Sequence, residues 1–236
     1  MQAIRSLIFN TIMACSAIVY AIPSLLTYPL PFKYRYGFIK QWARFNLWCL
    51  AKICDLRYQV IGQENIPKDA VVIFCKHQST WETFALQNVF PPQVWVLKKE
   101  LLRVPFFGWG LAMLDPVAID RSAKTKALQQ VVEQGKERLD TGRCVVIFPE
   151  GTRIAPGQRV KYQAGGAILA AKTGYAVVPV AHNAGEFWPR HGFIKKPGLI
   201  TMSIGPMIDT QNKKSSEVMQ QAEHWIETEV ARISTC

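Results

Sequence analysis

The chain opens with a long apolar segment that carries no charge. The run from Leu7 to Leu30 would form a helix about 36 Å long, enough to cross the roughly 30 Å hydrocarbon core of a bilayer. Pro23 leaves an alternative, because a helix that ended at Ile22 would measure about 24 Å and would insert without spanning. A cleaved export signal fits poorly, since the apolar run continues past any small-residue cleavage site. We therefore expect a membrane anchor at the N-terminus.

The next segment, Gly37 to Asp55, has the period of an amphipathic helix. Its apolar stripe consists of Phe38, Trp42, Phe45, Cys49 and Ile53. The period alone fits a helix in the membrane interface and a helix packed on a protein core equally well. The aromatic stripe and a basic flank favour the interface; the flank consists of Lys33, Arg35, Lys40 and Arg44. We assign residues 1–57 to an N-terminal helical membrane module.

From Tyr58 onward, short β-branched runs alternate with helical patterns, which is typical of an α/β domain. The predicted strands are Tyr58–Ile61, Val71–Cys75, Val94–Leu97, Val117–Ile119, Cys144–Phe148, Ala176–Val180 and Leu199–Ile204. The predicted helices are Ser79–Asn88, Ala123–Leu139, Gln163–Lys172 and Ser215–Ile233. We assign residues 58–236 to this domain.

Composition narrows the classes of protein that remain. Apolar residues make up 49% of the 236 residues, which excludes a disordered chain, and charges spread along the chain after Lys33 exclude a polytopic membrane protein. The 28 Lys and Arg against 17 Asp and Glu give a formal net charge of +11, which indicates an anionic partner such as nucleic acid, anionic lipid or a phosphorylated substrate. The six cysteines show no metal-binding spacing, and we expect them to be reduced and structural.

The segment Lys76–Glu82 directly follows a predicted strand, where α/β sheets place their functional groups. His77 would leave the carboxyl end of that strand, and Glu82 would lie about one turn into the next helix. The carboxylate would then hold one imidazole nitrogen while the other acts as a general base. Ser79 and Glu82 also have the spacing of a helix capping box. The pattern alone favours that structural role, and the two roles can coexist.

A second polar segment, Phe148–Arg153, also ends an apolar strand. Gly151 permits a positive φ or the close approach of a ligand, and Arg153 offers a planar group that binds phosphate. By composition alone, a solvated turn with a surface pair between Glu150 and Arg153 is the simpler interpretation.

Four blocks, in this order and spacing, resemble the glycerolipid acyltransferase family, and within it the bacterial 1-acyl-glycerol-3-phosphate acyltransferases. The blocks are His77 with Glu82, Ile119-Asp120-Arg121, the complete Phe148 to Arg153 segment, and Val178 to Val180. The resemblance covers about Gly62 to Val180 and implies an α/β fold with a mixed central sheet flanked by helices behind the N-terminal module. One position departs from the family pattern, because Glu82 stands where the family usually has Asp.

The resemblance also implies a reaction and its site. His77, oriented by Glu82, would remove the proton from the free hydroxyl of lysophosphatidic acid as that oxygen attacks an acyl thioester. The substrate-binding residues implied are Lys98, Arg121, Glu150, Gly151, Thr152 and Arg153. The cationic side chains would hold the phosphate, and Glu150 would hydrogen-bond the glycerol. No cofactor and no metal is implied.

The expected partners are lysophosphatidic acid, an acyl donor (acyl-coenzyme A or acyl carrier protein) and a bilayer, with no nucleic acid. The expected location is a bacterial inner membrane. If the first helix spans it, the basic flank defined above places the catalytic domain on the cytoplasmic side. Two alternatives stay open: an acyltransferase with another lysolipid acceptor, and a non-catalytic phospholipid binder. In the binder, Glu82 would only cap a helix.

Overall fold

Two long helices precede the first strand in the structure, a computed structural model that describes residues 1–120 and 124–235. Helix α1 spans Gln2–Leu26 and continues through Pro23, so it does not end at Ile22. It is long and apolar enough to cross a membrane. Helix α2 spans Phe32–Cys54, five residues earlier than the predicted start, and ends where Asp55 adopts a left-handed conformation (φ 51°).

Seven strands of the described residues form one sheet. They are β1 (Leu56–Ile61), β2 (Val72–Cys75), β3 (Gln93–Lys98), β4 (Val117–Ile119), β5 (Cys144–Ile147), β6 (Val177–His182) and β7 (Gly198–Ile204). Their order across the sheet is β1-β7-β6-β2-β5-β3-β4. Every neighbouring pair is parallel except β6 and β7, which are antiparallel. The expected mixed sheet is therefore confirmed.

Six further helices follow in the part of the chain that the structure describes. They are α3 (Trp81–Val89), α4 (Phe107–Ala112), α5 (Lys124–Asp140), α6 (Gly165–Thr173), α7 (Ala184–Phe187) and α8 (Ser215–Ile233). Two 3₁₀ turns lie at Gln63–Asn65 and Lys99–Arg103. All seven predicted strands are present. The four predicted helices also appear, although Ala123, at the predicted start of α5, lies outside the described residues. The short α4 and α7 and both 3₁₀ turns were not predicted, because each is shorter than the window over which periodicity is visible.

Alternate residues of the central strands belong to two hydrophobic cores, one on each face of the sheet. In β2, Ile73 and Cys75 face the core that contains α2 and part of α1, whereas Val72 and Phe74 face the core that contains α5, α6 and α8. Helices therefore flank both faces. The five described cysteines are unpaired; they are Cys15, Cys49, Cys54, Cys75 and Cys144.

Candidate active site

The parallel pairing of β2 and β5 brings the two polar segments together. Phe74 of β2 lies in register with Ile147 of β5, so the chain leaves both strands at the same edge of the sheet. The imidazole of His77 stacks on Phe148 with ring centroids 3.9 Å apart, and the carbonyl of His77 accepts a hydrogen bond from Ile154 N at 2.8 Å. Backbone and ring contacts thus join the His77 loop to the Phe148–Arg153 loop.

His77 and Glu82 form the predicted pair. His77 Nδ1 lies 2.8 Å from Glu82 Oε1, across the turn that leads into α3. Because an ionised carboxylate only accepts, Nδ1 carries the proton and Nε2 is the nitrogen that can take one from a substrate. The ring lines a cavity, whereas Glu82 is completely buried. This is the arrangement of a general base held by an acid.

Glu82 performs the capping role as well. Its Oε1 also accepts hydrogen bonds from the amides of Gln78 (3.1 Å) and Ser79 (2.9 Å). Burial alone would raise the pKa of Glu82. The neighbouring imidazoles of His182 and His77 and the Ser79 amide outweigh burial and hold that pKa below its ordinary value. The helix cap and the orientation of His77 therefore depend on one charged oxygen.

A cavity of about 580 Å³ opens beside His77. Helices α1 and α2 contribute much of its apolar wall, through side chains such as Met13, Ala17 and Trp42. Its cationic and imidazole groups are His77, Lys98, Arg153, Arg190 and His191, and no Asp or Glu of the described residues lines it. An apolar cavity lined by these basic groups suits a molecule that combines an alkyl chain with an anionic group.

Glu150 lies behind this cavity rather than on its wall. Its carboxylate is buried, 3.2 Å from the Lys76 ammonium, and it accepts a long hydrogen bond of 3.4 Å from the amide of His77. The same ammonium donates to Glu227 of α8 at 2.6 Å. Burial raises the pKa of Glu150 to about 7, although Lys76 acts in the opposite direction. Glu150 therefore contacts the backbone of the candidate base and does not face the cavity.

Comparison with known proteins decides the family. Residues 57–183 match the acyltransferase family model. The chain is 48% identical to a 1-acyl-sn-glycerol-3-phosphate acyltransferase of Pseudomonas aeruginosa, over 99% of this chain and 93% of that protein. The chain belongs to the acyltransferase family.

One further sequence relative and one solved structure are similar to this acyltransferase. It is 30% identical to the 1-acyl-sn-glycerol-3-phosphate acyltransferase of Saccharomyces cerevisiae, over 78% of this chain and 63% of that protein. Its fold matches the crystal structure of the 1-acyl-sn-glycerophosphate acyltransferase PlsC from Thermotoga maritima, with a TM-score of 0.82 over 100% of this chain and 97% of that one, at 22% identity.

Most of the acyltransferase residues predicted to bind substrate lie together. Lys98, Gly151, Thr152 and Arg153 line the cavity with His77, and Gly151 has the positive φ (71°) that its motif suggested. Arg121 lies outside the described residues. In the part of the chain that the structure describes, no three His, Cys, Asp or Glu side chains gather into a metal site.

Three further side chains lie near the site and belong to none of the predicted motifs. Arg190 lines the cavity and donates to the carbonyl of Arg153 at 3.3 Å. Glu227 of α8 contacts Lys76 behind the site. His182 is buried 3.8 Å from Glu82, although no carboxylate lies near His182 in the sequence at a spacing that suggests a pair. Only the basic character of the segment around Arg190 was visible in the sequence, since the other two contacts depend on the tertiary fold.

Proposed function

We propose that this acyltransferase moves a fatty acyl group from a thioester, acyl-coenzyme A or acyl carrier protein, to the sn-2 hydroxyl of lysophosphatidic acid, giving phosphatidic acid. One observation carries the proposal: the His77–Glu82 pair opens into an apolar cavity whose charged groups are all basic among the described residues. Relatives that share the whole chain or most of it are named for this activity.

The proposed reaction is a direct transfer. Nε2 of His77 takes the proton of the acceptor hydroxyl while its oxygen forms a bond to the thioester carbonyl carbon. Glu82 stabilises the imidazolium that results, because its charged oxygen already holds Nδ1–H. Collapse of the tetrahedral intermediate breaks the carbon–sulfur bond, and the proton on His77 passes to the departing thiolate. The reaction as proposed needs no covalent enzyme intermediate, metal or cofactor.

The acceptor phosphate would bind the cationic side chains of the cavity. Arg153 offers two parallel donors to phosphate oxygens, and Lys98 adds a flexible charge. Arg190 joins them from the segment beyond β6. Arg121, which the family pattern supplies together with Lys98 and Arg153, would add a fourth cation. Glu150, buried with Lys76, would act on the His77 backbone and would not hydrogen-bond the glycerol.

We propose that the enzyme works on a membrane surface through α1 and α2. Hydrating a sixteen-carbon chain costs on the order of 12 kcal/mol, so substrate and product should pass between lipid and the cavity without entering water. Helix α1 fits this role, because it lines the cavity and also exposes apolar side chains such as Val19 and Leu26. The basic residues after α1 favour the cytoplasmic side of a bacterial inner membrane.

The test is acyl transfer from a radiolabelled long-chain thioester, with either donor, to lysophosphatidic acid in mixed micelles. Wild type should form phosphatidic acid, and His77→Ala should lower kcat by roughly 10²–10⁴-fold. His224→Ala, the same change at an exposed histidine of α8, is the matched control and should keep full activity. Transfer only to other lysolipids would overturn the acceptor. Binding of lysophosphatidic acid without any transfer would favour the phospholipid binder.

A further inference from the structure

His182, the last residue of β6, is completely buried next to the catalytic pair and takes no part in the reaction proposed above. It does not line the cavity, so it has no route to substrate. Its ring meets Trp81 edge to face with centroids 5.7 Å apart. A buried imidazole this close to the site has either a packing role or a role in the geometry of the site.

The hydrogen bonds of His182 define its protonation. Nε2 lies 2.8 Å from the carbonyl oxygen of Lys76, which can only accept, so Nε2 carries a proton. Nδ1 accepts a hydrogen bond of 3.2 Å from the amide of Ala184 and therefore carries none. The ring is a neutral donor with one fixed tautomer. Burial, which lowers the pKa of His182, agrees with this assignment.

The carbonyl that His182 holds belongs to the peptide unit directly before His77. The other end of that unit, the His77 amide, donates to Glu150. One peptide plane is thus held at its oxygen by His182 and at its nitrogen by Glu150. Rotation of this plane would swing the Cα–Cβ bond of His77, and with it the imidazole, away from the carboxylate of Glu82.

The second oxygen of Glu82 supplies an independent observation. Glu82 Oε2 is buried, has no hydrogen-bond partner among the described residues, and lies 3.8 Å from Nε2 of His182. The longer acid at this position, where the family usually has Asp, therefore extends against His182. The imidazole fills the space behind the acid and limits how far Glu82 can retreat from His77.

We propose that His182 is a positioning residue for acyl transfer: its Nε2–H holds the Lys76 carbonyl, and its ring supports Glu82, so that His77 stays in the geometry that accepts the proton. The inference rests on the proposed function of His77. Displacement of a catalytic group by about 1 Å can cost about 10²-fold in rate, which sets the size of effect to look for.

The test compares two polar substitutions of His182 that differ in reach. The amide nitrogen of Gln can occupy the place of Nε2, so His182→Gln should keep kcat within about threefold of wild type. Asn is too short to reach the Lys76 carbonyl, and His182→Asn should lower kcat by roughly 10–100-fold. KM for donor and acceptor should stay within about twofold in both, because His182 does not touch the cavity.

Two controls separate positioning from stability. Thr210→Val removes another buried side-chain donor, the hydroxyl that donates to the backbone carbonyls of Ala170 and Tyr175. This variant should keep the wild-type kcat even if its melting temperature falls. In a His77→Ala background, His182→Asn should cause no further loss of the residual rate, since its effect passes through His77. A partly unfolded variant would instead lose activity in both backgrounds.

Different failures give different conclusions. If His77→Ala lowers kcat as expected but His182→Asn keeps the wild-type kcat, the positioning role is wrong and the proposed function stands. Equal kcat losses in His182→Gln and His182→Asn, or a further loss in the His77→Ala background, would also overturn the role. If wild type transfers no acyl group to any lysolipid, the function and the inference fail together.

Discussion

Glu150 Oε1 lies 3.2 Å from the ammonium of Lys76, in the interior behind His77, and both side chains are almost fully buried. The ammonium is shared, because Glu227 lies closer to it, at 2.6 Å. Tyr162 adds a hydrogen bond to Glu227 at 2.8 Å. Two carboxylates therefore compete for one cation, and the more buried carboxylate is the one whose pKa rises to about 7.

Glu150→Gln should change how the stability of the protein depends on pH. In wild type, the native Glu150 keeps its proton up to about pH 7, whereas the unfolded chain loses it near 4.5. Between these values the native state binds more protons, so this group makes the free energy of unfolding fall as pH rises, by up to about 1.4 kcal/mol per pH unit. Urea unfolding in detergent micelles from pH 4.5 to 7.5 should show a shallower fall in the variant.

Glu229→Gln, on α8, is the contrasting control for that experiment. A hydrogen bond from Arg232 is the main cause that holds the pKa of Glu229 below its ordinary value. Its contribution to stability is therefore present above the unfolded pKa and is lost as pH falls through the folded one. Above the unfolded pKa, Glu229→Gln should therefore run parallel to wild type with a constant offset, whereas the difference between Glu150→Gln and wild type should change with pH up to about pH 7. Parallel pH profiles for wild type and Glu150→Gln would contradict the assignment.

Substitutions of Glu82 should separate its charge from its length. Glu82→Gln keeps the length but cannot stabilise the imidazolium of His77, and kcat should fall by at least about 10²-fold. Glu82→Asp keeps the charge but is one methylene shorter, so it should lose the 2.8 Å contact and reduce kcat less severely. Steady-state kinetics at saturating substrate measures kcat of both variants, and thermal unfolding confirms that each is folded. A Gln variant that outperforms the Asp variant would show that charge is not what His77 needs.

The sequence predicted the fold well because the elements carry their own signals. The seven strands are short β-branched runs, and the helix Ser215–Ile233 was predicted with both ends correct. The sequence of α1 fits two alternatives, because Pro23 disfavours the helical conformation in the preceding residue. In the structure α1 nevertheless continues to Leu26, and the helix as a whole packs against α2 and α4.

In the candidate site, too, contacts within one segment could be predicted and contacts between distant segments could not. His77 and Glu82 are five residues apart, so one segment displays their chemistry. The partners of His182 and Glu227 are the Lys76 carbonyl and ammonium, 106 and 151 residues away along the chain. A backbone carbonyl has no sequence signature, and only the sheet order brings β6 beside β2. These contacts could not be predicted from sequence pattern.

Asp115→Asn should weaken the contact between helix α2 and the α/β domain and so lower the free energy of unfolding. The Asp115 carboxylate lies 2.9 Å from Arg35 of α2 and 3.1 Å from Arg143, which precedes β5. Loss of its charge would leave two mostly buried guanidinium groups without a counter-ion, and we expect a loss of about 1–3 kcal/mol in the free energy of unfolding. Asn tolerates the left-handed backbone (φ 46°) at this position, so the change isolates the charge.

Asp55→Asn is the matched control for Asp115→Asn. Asp55 is also left-handed (φ 51°) and also contacts an arginine, Arg57 at 3.0 Å, but both side chains are exposed. An exposed ion pair contributes little to stability, so the free energy of unfolding should change by less than about 1 kcal/mol. Urea unfolding of both variants under one condition makes the comparison. Equal losses would mean that Arg35 and Arg143 do not depend on Asp115.

Ala17→Phe should shift donor preference toward shorter acyl chains. Ala17 of α1 lines the cavity, and a phenyl ring there would occupy space that an alkyl chain needs. We expect kcat/KM for a sixteen-carbon donor to fall at least about tenfold relative to a ten-carbon donor. Ile18→Phe, at the exposed neighbouring position outside the cavity, should leave the ratio unchanged. A proportional loss with all donors would indicate disturbed folding instead of a narrowed cavity.

Ile22→Glu should weaken membrane binding if α1 faces lipid. Ile22 is 58% exposed on an apolar helix, and moving its side chain out of lipid loses about 1.5–3 kcal/mol, or roughly tenfold or more in partitioning. Met207→Glu is matched in exposure, also 58%, but lies after β7, next to Ile208, which packs in the core that contains α5, α6 and α8. Co-sedimentation with vesicles of phosphatidylethanolamine and phosphatidylglycerol compares them at one salt concentration, because both changes add the same negative charge. Equal weakening by both variants would mean that net charge, rather than the apolar face of α1, holds the protein on the bilayer.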